Sequence, residues 1–202
     1  MASGRVDLFI AKLPLHAVVL NLNCSERPSG LLSIPRNAQL TLKRGRDKQQ
    51  IQLQLLEGRE CFADFMEMSL ELARQFRLTA FRRYTLVYNS GEQTLTISPS
   101  PHSQATALIV PGSASAGTLT VGYELLSRLG IPERQGLIIR VRKGKHLAKL
   151  RLHVPANLAD DRLRLSPQWL RNWGLASNQK HLVQFDQHNF TLSIASLSGL
   201  KR

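Results

Sequence analysis

Two adjacent carboxylates, Asp160 and Asp161, stand in the loop sequence ANLADD just ahead of the strand-like RLRL. Paired acids divide general-acid and general-base work when a cleft separates their pKa values; on a polar loop the plainer reading is a solvated turn. The six histidines, at 16, 102, 146, 153, 181 and 188, show no His-x-x-x-His pairing, and Cys24 and Cys61 are 37 positions apart. Metal ligands recur at close, characteristic spacing, so no metal site is expected. No P-loop and no Gly-x-Gly-x-x-Gly follows a strand, and no cofactor is expected either. Ser69 and Ser166 open helices, where a hydroxyl caps an unpaired backbone N–H in preference to acting as a nucleophile. Trp169 and Trp173 lie one helical turn apart on an apolar stripe, so they read as core and not as a base-stacking platform. No catalytic residue is assigned, and the chain is not read as an enzyme.

Charge is the stronger signal. The chain carries a formal +13 with a pI near 10.7, and the excess is uneven: residues 1–100 hold 13 Lys/Arg against 9 Asp/Glu, residues 101–202 hold 14 against 5. Such a balance favours anionic partners: nucleic acid, an acidic protein or an anionic surface. It concentrates in LIIRVRKGKHLAKLRLHV, residues 137–154, which contains no acid. Arg140 and Arg142 alternate with Ile139 and Val141, Lys149 and Arg151 alternate with Leu150 and Leu152, and Lys143 and Lys145 flank Gly144. A period of two sends the apolar set inward and the cations to one outer face. A related hairpin over 40–55 gathers Lys43, Arg44, Arg46 and Lys48. Two readings fit: a sheet edge kept soluble by its charges, or a face that takes a phosphate-rich or acidic partner.

The elements that would carry these residues are written repeatedly. MEMSLELARQFRL (66–78), LTVGYELLSRLGI (119–131) and RLRLSPQWLRNWGL (162–175) align without gaps, matching Met66, Leu119 and Leu163, then Met68, Val121 and Leu165 on one strand face. A small residue follows at Ser69, Gly122 or Ser166, and Pro167 fits the first helical position. The helix face is then Leu72, Leu125 and Trp169, Ala73, Leu126 and Leu170, and Phe76, Leu129 and Trp173, one apolar stripe. Gly130 and Gly174 stand where such a helix stops, and Arg77 holds that place in the third copy. YTLVY, LIIRV and HLVQF resume as strands, followed by hairpins. A weaker copy sets Leu20 and Leu22 on Leu119 and Val121, with Pro28 and Gly30 replacing its helix by a loop.

Alternate copies are offset by 99 and 97 residues, so the repeating object is a pair of cassettes. The expectation is a mainly β protein with short helices. It would form two tandem pseudo-twofold barrels, each closed by two interlocked strand-helix-strand-strand units that leave no open edge. The first domain spans 1–98, a Pro/Ser-rich linker 99–106, and the second domain 107–202. No stretch reaches the roughly 20 apolar residues of a membrane-spanning helix. Two cysteines without a secretory signal point to the cytoplasm.

The unit GTLTVGYELLSRLGIPERQGLIIRVRKG resembles the double-psi and swapped-hairpin β-barrel superfamily, whose members read strand, short helix ending in Leu-Gly-hydrophobic, then strand. More narrowly, the paired pattern is similar to the N-terminal region of bacterial endospore coat-associated proteins, which continue into an ATP-grasp domain. The likeness covers 117–200 best and 18–98 more loosely. The tail TLSIASLSGL has Ala195-Ser196 where those proteins carry a Gly-Pro pair, so no ATP-grasp activity is carried over. The resemblance implies a non-catalytic binding or assembly module, with a forespore or spore-coat location. It also implies a swapped-hairpin type of nucleic-acid binding as the alternative and a role accessory to an ATP-grasp enzyme as a third.

Overall fold

The computed structural model describes residues 1–23, 30–58, 63–113 and 115–196. The chain separates into two compact units, Met1–Ser100 and Pro101–Arg202. Each has its own apolar core.

The first unit runs β1 (Ala2–Ile10), β2 (Ala17–Asn23), a 3-10 turn (Gly30–Ser33), β3 (Asn37–Arg44), β4 (Asp47–Gly58), β5 (Phe65–Met68), α1 (Leu70–Gln75), β6 (Arg83–Asn89) and β7 (Thr94–Pro99). The second runs β8 (His102–Pro111), β9 (Thr118–Val121), α2 (Tyr123–Leu129), β10 (Ile138–Lys143), β11 (His146–His153), β12 (Arg162–Leu165), α3 (Pro167–Asn172), β13 (Gln179–Asp186) and β14 (Thr191–Ser196). Both are closed barrels, in the order β1-β5-β2-β4-β3-β7-β6 and, element for element, β8-β12-β9-β11-β10-β14-β13. Their parallel and antiparallel pairings follow the same sequence around the ring.

The interlock is visible in β2 and β5, the first strands of the two cassettes, which pair antiparallel, and in β3 and β7, which pair parallel. Each ring has seven strands because β1 and β8 precede the cassettes and join them. β1 lies parallel to β5 and antiparallel to β6, as β4 lies parallel to β2 and antiparallel to β3. It is the β4 of the other half of the barrel. The segment expected as a linker is accordingly strand from His102, with β8 paired to β13 over eight positions. Its inward positions there are Ser103 and Ala105, small enough to hide the alternation.

Aligned letters occupy a common interior. Leu22, Met68, Val121 and Leu165 are fully buried, as are Leu20, Met66, Leu119 and Leu163. Leu72, Ala73 and Phe76 of the α1 segment, and Leu125, Leu126 and Leu129 of α2, are buried in the same cores, as the stripe requires. The helix stops match too: Gly130 and Gly174 have φ of +64° and +58°, and Arg77 takes +53° in spite of its side chain. In the first cassette Leu31 of the 3-10 turn is buried in the core. The stretch 25–29 lies outside the described residues.

Candidate functional site: a basic hairpin face

β10 and β11 form a two-residue hairpin whose register pairs Arg140 with Lys149, Arg142 with Leu147 and Ile138 with Arg151. Gly144 at the first loop position has φ +55°, and the corresponding Gly45 has +58°, the demand that a II′ turn satisfies with glycine. Ile139, Val141, Ala148, Leu150 and Leu152 point into the core, while Arg140, Arg142, Lys149 and Arg151 are exposed on the outside. Parallel pairing with β14 adds Thr191 beside Arg140 and Ser193 beside Arg142, and pairing with β9 adds Thr118 beside Arg151. The result is one outer surface of cations interleaved with hydroxyls.

None of Arg140, Arg142, Lys143, Lys145, Lys149 and Arg151 has an acidic partner among the described residues. Arg142 donates to Ser193 Oγ, at 3.3 Å. Two large aliphatic side chains share the face, Ile138 at 46% and Leu147 at 59% exposure. The charge pattern alone passes over them, although their parity with Arg140 and Lys149 places them outward.

The first barrel uses its equivalent hairpin differently. The outward pairs of β3 and β4 are Asn37 with Gln54, Gln39 with Gln52, Thr41 with Gln50, and Lys43 with Lys48. Lys43 Nζ is 3.1 Å from Glu92, and the Arg44 guanidinium donates to the Phe76 carbonyl at the end of α1, the negative pole of the helix. Arg46 is exposed at the turn and lines a cleft of about 550 Å³ with Arg44, Asp47, Phe76 and Arg77. Of the basic residues singled out there, two are therefore occupied within the barrel. Where the second barrel has Arg140, Lys149 and Arg151, the first has Thr41, Gln50 and Gln52.

Of the acidic pair, Asp160 is engaged by the strand that follows it. Asp160 accepts from the Arg164 guanidinium, whose second contact is 3.0 Å, and from the Arg162 backbone N–H at 3.2 Å. The Arg164 bond, aided by the Arg162 N–H and both positive charges, outweighs burial and holds the Asp160 carboxyl below its usual range; the same bond raises Arg164. A general acid needs the opposite shift.

The two helix-opening serines differ. Ser69 Oγ accepts from Leu72 N–H at 3.1 Å, whereas Ser166 Oγ is buried without a partner, which corrects the capping expected of it. Trp173 is buried and Trp169 partly so, 4.9 Å apart between ring centres, with Trp169 Nε1 donating to the Ala116 carbonyl at 2.5 Å. This is packing, not a platform.

Both ring nitrogens of buried His181 lack partners; Tyr84, at the same barrel position, accepts from Thr79 N–H at 2.8 Å. Among the described residues no cluster of three His, Cys, Asp or Glu could hold a metal, and no helix is long and apolar enough to cross a membrane. Cys24 and Cys61 lie outside the described residues. Comparison with known proteins finds no family model, no curated protein and no solved structure that matches the chain.

Proposed function

We propose that this chain is a non-catalytic binding or assembly module whose β10–β11 face receives an anionic partner. One observation carries the reading: six cations on a single hairpin have no acid to pair with among the described residues, while the sister hairpin at the same barrel position has Thr41, Gln50 and Gln52 in place of three of them and bonds Lys43 and Arg44 internally, leaving Arg46 and Lys48 exposed. Solubility of a sheet edge does not account for the difference, because both hairpins sit inside closed rings with no edge to protect. Two interlocked halves closing a mixed barrel support a place beside the double-psi and swapped-hairpin barrels. The narrowest form of the proposal is then assembly on acidic components of a spore coat, from the cytoplasm or forespore.

Nucleic-acid binding is the second reading. Thr118, Thr191 and Ser193 lie beside the cations, and phosphates take hydroxyl donors along with Arg and Lys. Neutralising four to six phosphates would give a log K against log salt slope of roughly −4 to −5 on duplex.

The test is a triple reversal, Arg140→Glu, Arg142→Glu and Lys149→Glu, with anisotropy of a labelled poly-Glu peptide and of labelled duplex DNA as readouts. All three side chains face outward, so cooperative unfolding followed by Trp fluorescence should persist while binding is lost. Affinity unchanged by the reversal would discard the face.

A further inference from the structure

Resting on the reading above, we infer that the partner of the β10–β11 face is an acidic polypeptide that also presents apolar side chains, and not a bare polyanion. The face is mixed: Ile138 is paired across from Arg151, Leu147 across from Arg142, and the row Arg140–Lys149 lies between them. Ile138 and Leu147 are among the most exposed large hydrophobic residues of the second barrel, at 46% and 59%. Four residues of strand separate their rows, about 13 Å.

A phosphate backbone gives such side chains nothing to bury against, and would leave them wet or pressed on charged oxygens. A protein surface with carboxylates around small apolar contacts matches both components, covering the aliphatic groups while pairing the guanidiniums. The choice of cation agrees. Three of the four outward strand cations are Arg, the residue enriched at protein interfaces where Lys is depleted, because its planar fork takes a carboxylate bidentately. An anionic bilayer would be served as well by Lys, and the exposed side chains of this hairpin include no Trp or Tyr to anchor at a membrane interface.

The experiment compares two helical peptides of equal charge, one with Leu on a single face flanked by Glu and the other with each Leu changed to Ser. Duplex DNA and phosphatidylcholine vesicles containing phosphatidylserine are the other probes. The full chain, its Ile138→Ser/Leu147→Ser variant and the triple reversal are titrated with each. The Leu peptide should bind the full chain about tenfold more tightly than the Ser peptide, a difference of about 1.4 kcal/mol. Ile138→Ser/Leu147→Ser should erase that difference without altering the Ser-peptide affinity, and the triple reversal should abolish both. Equal affinity for the two peptides, or tighter binding of DNA or vesicles than of the Leu peptide, overturns this inference and leaves the anionic face standing. Binding of no probe, or binding indifferent to the triple reversal, overturns both.

Discussion

Ser69 and Ser166 take nearly the same backbone, φ −66°, ψ 153° and φ −60°, ψ 149°, at the start of equivalent helices. Only Ser69 turns its hydroxyl onto an N–H. Ser69→Ala should therefore cost about 1 kcal/mol, with a buried amide left unpaired. Ser166→Ala removes a buried hydroxyl that bonds nothing and should be neutral or slightly stabilising. Urea unfolding of the two variants checks this, and equal losses would show that Ser166 caps as well. Residue type and position made the helix start legible at both sites. They could not show the side-chain rotamer, which local packing decides. The same limit applies to Lys43 and Arg44, which read as free cations in sequence because Glu92 and the Phe76 carbonyl that engage them lie 49 and 32 residues away.

The start of α2 shows how an element borrows its cap from a distant loop. Gly122 has no side chain to offer, and Leu125 N–H points to the Asp160 carbonyl at 3.4 Å, Tyr123 N–H to the Leu158 carbonyl at 2.8 Å. A Cβ on Gly122 would fall 2.2 Å from the Asp160 carbonyl oxygen, so the close approach excludes any larger residue. In sequence ANLADD reads as a solvated turn, and nothing local ties it to a helix starting nearly forty residues earlier. The Asp160–Arg164 bond ties that loop to β12, and the second barrel should lose stability in acid. Because the Asp160 pKa is lowered on folding from 3.8, its contribution is complete above about pH 4 and drains away as pH falls through the folded value. Asp160→Asn keeps the carbonyl cap and removes this titration. Its stability, followed by Trp fluorescence in urea, should be lower than that of the parent at pH 7, with the gap closing below pH 4. A gap independent of pH would remove the ion pair from the account.

At the scale of the whole chain, the duplication was legible because core positions tolerate only apolar residues of similar size, so Met68, Val121 and Leu165 kept their pattern. The strands that close the rings were not. β1 and β8 have no helix after them and carry few matching letters, and their partners are remote: Asp7 pairs with Phe65 and Arg83, Leu108 with Arg162 and Lys180. In the first barrel the closure is also ionic, with Arg83 bonding both carboxylate oxygens of Asp7 at 2.8 Å. Removing residues 1–10 would take Val6 and Leu8 from the core, leave Arg83 unpaired by Asp7 and open the facing edges of β5 and β6. Among the described residues no other strand closes the ring, so the first barrel should lose its cooperative fold. The second keeps its own core and holds both tryptophans of the chain, at 169 and 173. Amide hydrogen exchange of the truncated chain should show protection lost over residues 17–99 and retained over 102–196, with the Trp-detected unfolding midpoint unmoved. Protection surviving in β2 to β7 would mean that the interlocked cassettes close without β1, and loss across both units would mean that the two barrels fold as one.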